Sequence, residues 1–63
     1  MNIIPDEQWP TIESKLRERC PRLTEQDFAE AEQRVDLLSA KIQNRHWVSR
    51  VDARRIVLEA IGN

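Results

Sequence analysis

Five apolar residues, Phe28, Ala31, Val35, Leu38 and Ile42, are spaced three, four, three and four apart. At 3.6 residues per turn that spacing places all five on one helical face, whereas a strand would need alternation by two. Leu37 widens the stripe, so the helix faces a core rather than a narrow coiled-coil seam. The start of the helix is well marked by Leu23-Thr24-Glu25-Gln26-Asp27-Phe28. Thr24 and Asp27 stand where a reciprocal capping box needs them, with Asp in place of the usual Glu or Gln. Leu23 and Phe28 flank the cap as a hydrophobic staple. Glu25 and Asp27 bring negative charge to the positive end of the helix dipole. On the outer face, Glu30 and Arg34 are four apart in the favourable order for a surface ion pair. These features predict a long central helix over residues 25–45.

A chain of 63 residues makes one domain at most and buries only about 60% of its unfolded surface. Regular helix packing, a metal, disulfides or association must make up the difference. Two further helices are expected to pack on the central one. The first spans about 10–19: Pro10 suits a first turn, and Trp9, Ile12, Leu16 and Cys20 share a face. Asp6 is an alternative cap for an earlier start. Trp9 reads as a core or lid residue and Cys20 as a small apolar filler at the helix end. Pro21 stops this helix. The other helix spans about 50–61, capped by Ser49 with Asp52 three residues on, and Gly62 is its expected stop. Ala53, Ile56, Val57, Ala60 and Ile61 form its apolar side, with Val51 and Leu58 at the margins.

The expectation is thus an all-α, small three-helix bundle, with residues 1–8 as an N-terminal arm and 9–63 as a single helical domain. Met1 to Gln8 reads as a loosely held arm, although Ile3 and Ile4 have the character to fold back. The central helix lacks a glycine for a left-handed exit, and Asn44 or His46 is expected to take that role. Trp47, in the second link, is either tucked into the core or displayed as an anchor; the core placement is the expectation.

Composition narrows function by exclusion. Ten basic residues nearly balance eleven acidic ones, for a net charge of −1. This argues against strong nonspecific attraction to nucleic acid or to an anionic membrane. No apolar run approaches the length needed to span a bilayer, and the N-terminus does not read as a secretory signal. Cys20 is the lone cysteine, which suits a reducing, cytoplasmic setting. One His and one Cys in different segments do not make a metal site. Cys20 and His46 form a conceivable nucleophilic pair, but nothing in the sequence orients either. The single Gly62 cannot build a phosphate-binding or oxyanion loop. No catalytic, cofactor-binding or metal residues are therefore assigned, no cofactor is implied, and no small-molecule substrate is expected. The residues left as an interaction surface are Trp47, Arg50, Arg54 and Arg55. The three arginines make a small basic patch, which by its neighbours Asp52 and Glu59 reads first as solvated surface.

From Trp9 onward the chain resembles the CsbD-like family of small bacterial general stress proteins. The residues that carry the likeness are Trp9, Lys15, Leu23-Thr24 with the acidic Glu25 and Asp27, Asp36, Leu38, Lys41-Ile42-Gln43 and Arg45. They align without a gap through about Ile61. The family usually has glycine at the positions of Ser14, Pro21, Ala40 and Trp47, and an aromatic where His46 stands. The change at Trp47 matters most, because the link after the central helix must turn differently or accept strain. The resemblance implies a helical bundle and a stress-response context, and supplies no catalytic or cofactor residue. Three functional expectations follow: a non-enzymatic cytoplasmic stress-response protein acting by binding or protection; a protein-interaction module or small oligomerising adaptor, with an unknown protein or its own copy as partner; and, more weakly, a nucleic-acid binder through Arg50, Arg54 and Arg55.

Overall fold

The computed structural model describes residues 3–62, and every named element in that span is a helix: α1 (Trp9–Arg19), α2 (Glu25–Ala31), α3 (Val35–His46) and α4 (Arg50–Gly62). The all-α class is as expected, but there are four helices rather than three. The expected central helix is broken between Ala31 and Val35. Glu32 and Gln33 both adopt left-handed backbone, with φ of 53° and 62°, and Arg34 is extended before α3 begins. Neither residue is glycine, so each costs about 1–2 kcal/mol relative to right-handed helix.

The break persists because something else holds it. The Ile4 N–H donates to the Gln33 carbonyl at 2.7 Å, and Ile3 forms an isolated antiparallel bridge with Arg34. The Ile4 side chain is 2% exposed and belongs to the core. Burying such a side chain is worth about 1.5–3 kcal/mol and its hydrogen bond about 1 more, close to the strain of the two left-handed residues. The reading of the N-terminal segment as a loosely held arm is thereby corrected from Ile3 onward; the same expectation for Met1 and Asn2 lies outside the described residues. A turn over Pro5–Gln8 then feeds α1, where the Trp9 N–H donates to the Pro5 carbonyl at 3.0 Å. The helix begins one residue before Pro10, with Gln8 rather than Asp6 at the cap position.

The core is one cluster. Ile12, Leu16 and Cys20 enter it from α1, Leu23 from the first link, Phe28 and Ala31 from α2, Val35, Leu38 and Ile42 from α3, and Ala53, Val57 and Ala60 from α4. All five residues of the central stripe are buried, although two helices supply them. Trp9 packs at the edge of this cluster, edge-on to Phe28 with ring centroids 6.1 Å apart. The Arg17 guanidinium lies 4.7 Å over the same Phe28 ring, a cation–π contact that closes the α1–α2 corner. In the main packing, α3 lies against α4, α2 against α3, and α1 against α4.

Bending the chain at Glu32 also changes the charge pairing. The expected Glu30–Arg34 pair does not form, because Arg34 is no longer one turn beyond Glu30. Glu30 instead takes a close ion pair with Lys41 of α3 and a hydrogen bond from Gln26 at 3.0 Å. These partners, Lys41 first, hold its carboxyl below the usual value. The capping box is present as expected: the Asp27 N–H donates to Thr24 Oγ1, and the Thr24 N–H to Asp27 Oδ2, both at 3.1 Å. Its unusual Asp has a second task. Arg45 donates to it twice, Nε to Oδ2 at 3.0 Å and Nη2 to Oδ1 at 3.3 Å, and Lys41 Nζ stands 3.9 Å away. A short carboxylate can serve both its own cap and the neighbouring helix. The Asp27 side chain is only 5% exposed. The Arg45 hydrogen bond and the Thr24 N–H overcome the opposing effect of burial and lower its pKa.

Candidate interaction surface

The exit from α3 determines what the far side of the molecule displays. Trp47, not Asn44 or His46, takes the left-handed position, at φ 57° and ψ 36°, and its N–H donates to the Gln43 carbonyl at 3.1 Å. This is the position where the resemblance places glycine. Here a bulky aromatic holds the left-handed position, at a strain of about 1 kcal/mol or more. The backbone at this exit sends the indole outward: Trp47 is 86% exposed. The expectation that it tucks into the core is corrected. Val48 turns inward and packs on the core in its place.

Ser49 then starts α4 as expected, its Oγ accepting from the Asp52 N–H at 3.1 Å. With Ala53, Val57 and Ala60 buried on the inner side, helical geometry turns Val51, Arg54, Arg55 and Leu58 outward. Val51 is 68% and Leu58 46% exposed. They are seven residues apart, two turns along one face, with Arg54 and Arg55 between. Together with Glu59 these four line an open recess of about 410 Å³. Arg54 also borders the neighbouring groove over α3, with Arg50, Asp36, Ser39, Ala40 and Gln43.

The charges on this face are unevenly satisfied. Arg55 Nη2 lies 3.6 Å from Asp52 Oδ1, and Glu59 accepts from Arg19 Nη1 at 2.8 Å. Among the described residues, Arg50 and Arg54 have no ion-pair partner. Of the four residues expected as an interaction surface, Arg54 and Arg55 share the recess with two apolar ones, Val51 and Leu58, which the sequence placed only at the margin of the core stripe; Arg50 borders the neighbouring groove, and Trp47 lines neither. The separation of Val51 and Leu58 by seven and the arginines between them were the available signal.

Other chemistry-bearing residues are held by architecture. Cys20 is buried at the α1 exit, and burial pushes its thiol pKa up against a smaller opposing effect of Arg19. His46 has its Nε2 buried without a hydrogen-bond partner, and the structure gives it no bond to Cys20. No three His, Cys, Asp or Glu side chains cluster as metal ligands among the described residues, and no described helix is long and apolar enough to cross a membrane.

The described residues form a small all-helical protein with an exposed indole at the exit of α3 and, on α4, two exposed aliphatic residues set among arginines. No family model, curated protein or solved structure matches the chain.

Proposed function

We propose that this protein is a non-enzymatic docking module whose binding face is Trp47, Val51 and Leu58 ringed by Arg50, Arg54 and Arg55. The observation that carries the reading is Trp47. An indole at 86% exposure on a strained backbone, with Val51 and Leu58 also exposed on the helix that follows it, is an arrangement that solvent alone does not reward. The unpaired Arg50 and Arg54 favour a partner that brings carboxylates, so the fitting occupant is an acidic amphipathic helix with apolar residues along one face. The CsbD-like resemblance supports a stress-response setting in the bacterial cytoplasm, in which such a module acts by binding and protecting other components.

The test uses Trp47 as its own reporter in a Trp9→Phe background. Titration with a synthetic amphipathic helix bearing Asp and Glu on its polar side should give a saturable blue shift of the remaining indole. Leu58→Asp should abolish it, and a lysine-bearing version of the helix should give none. No shift with the acidic helix at millimolar concentration would defeat the reading. A second reading rests on the same exposed indole together with the three arginines of α4, residue types that stack on and pair with single-stranded nucleic acid. Oligonucleotide binding that weakens steeply with salt, in the absence of peptide binding, would favour it.

A further inference from the structure

The α2–α3 link is a strained bend laid over a sequence that reads as an unbroken helix. Phe28 to Ile42 keeps helical spacing straight through it, and Glu32, Gln33 and Arg34 are ordinary helix-forming residues. Neither left-handed residue is glycine. α1 and α2 meet at Phe28, against Trp9 and under Arg17, and α3 packs on α4. The two halves, α1–α2 and α3–α4, are joined by α1 against α4 and α2 against α3. The link between the halves is only three residues long, and the Asp27–Arg45 and Arg19–Glu59 ion pairs both cross from one half to the other.

We infer that two copies of this chain assemble by exchange, with residues 25–46 running as one continuous helix and the α1–α2 half of each copy packing on the α3–α4 half of the other. Every contact between halves is remade across the pair. The contacts within each half, such as Trp9 on Phe28, are untouched. Only the bend is lost, and with it the Ile4–Gln33 hydrogen bond and the Ile3–Arg34 bridge. The N-terminal segment is thus the clasp that favours the single-copy form. This interface is separate from the Trp47 face and does not depend on it.

Asp27 and Arg45 give the exchange a signature. They are 18 positions apart, so one straight helix would hold them roughly 27 Å from each other and they can meet only between chains. Asp27→Arg and Arg45→Asp each set like charges against each other in a single copy. A mixed pair that has exchanged halves has one contact of reversed polarity, made by the two substituted side chains, and one native Asp27–Arg45 contact, both attractive. The experiment refolds wild type, E32A/Q33A and E32G/Q33G at millimolar concentration and measures mass by native mass spectrometry and light scattering. Alanine favours the straight helix and glycine the bend, so the dimer dissociation constants should order Ala, wild type, Gly, with roughly tenfold or more between the extremes. Co-refolding the two charge-reversed chains should yield a heterodimer in excess of either homodimer. Equal dissociation constants for the Ala and Gly variants, or no dimer in any of the three, would overturn the inference even if the charge-reversed chains fail to fold.

Discussion

Replacing Asp27 with Ala should remove a large part of the stability of this domain. Domains of this size are stable by about 3–9 kcal/mol. The Thr24 Oγ half of the capping box survives, because it binds the Asp27 backbone N–H. The other half is lost, and loss of a cap costs about 1 kcal/mol. Three further donors lose their acceptor: Arg45 through two nitrogens, and Lys41 at longer range. Charge-assisted bonds are worth about 1.5–3 kcal/mol when buried. Here the Arg45 side chain is 48% exposed and regains water, so the contribution is discounted. The sum for Asp27→Ala is about 2–3 kcal/mol. For a domain this small that lowers the melting temperature by roughly 8–24 °C. Circular dichroism at the helix band, scanned with temperature at neutral pH, measures it directly. Asp27→Asn keeps an acceptor for the Thr24 N–H and loses only the charge, so its drop should be smaller. The pH dependence follows from the lowered pKa of the Asp27 carboxyl. Its contribution is complete above the unfolded-chain value of about 3.9 and is lost as pH falls through the lower folded value. Wild type should lose stability there more steeply than Asp27→Asn, and the two should converge in acid. A melting temperature for Asp27→Ala within about 2 °C of wild type at neutral pH would refute the reasoning, since one cap alone predicts more.

Trp47→Gly should raise stability by about 1 kcal/mol, since it relieves a left-handed backbone and removes a side chain with little burial, while abolishing the fluorescence response to an acidic helix. A fall in urea midpoint would show that the indole packs on the domain. Ile4→Ala should cost about 2–3 kcal/mol in urea denaturation; a frayed segment would give less than about 0.5 kcal/mol. Phe28→Ala should cost about 3–5 kcal/mol, because it empties the α1–α2 corner where Trp9 and Arg17 meet the ring. A variant retaining the wild-type near-ultraviolet spectrum and melting temperature would contradict that placement.

The all-α class, the two outer helices and the inward faces were legible in the sequence, because apolar spacing and caps are local signals. Thr24, Asp27 and Ser49 cap as their positions indicate, and each stripe residue of α1, α3 and α4 that was expected inside is buried or packed against the core. The break at Glu32 was not legible. Left-handed backbone usually shows itself through glycine or asparagine, and here two ordinary polar residues adopt it under tertiary contact with Ile4. The spacing from Ala31 to Val35 is helical whether or not the chain bends between them, so periodicity could not register the bend. The same holds for Trp47, whose outward course follows from the φ of one residue. Much of the Leu-Thr-x-x-Asp and Lys-Ile-Gln-x-Arg pattern turns out to be architectural, since Thr24, Asp27, Lys41 and Arg45 form a single polar lock between α2 and α3. A motif that builds the fold says little about what the fold does.

The lone thiol offers a practical use. Cys20 is sealed at the α1 exit, and its raised pKa leaves little thiolate in the native protein. A thiol-specific reagent added to the native protein must therefore wait for the domain to open. When reclosing outpaces modification, the labelling rate divided by that of a free cysteine peptide gives the fraction of molecules open at any instant. The chain thus carries its own gauge of folding free energy, readable by mass alone and without denaturant.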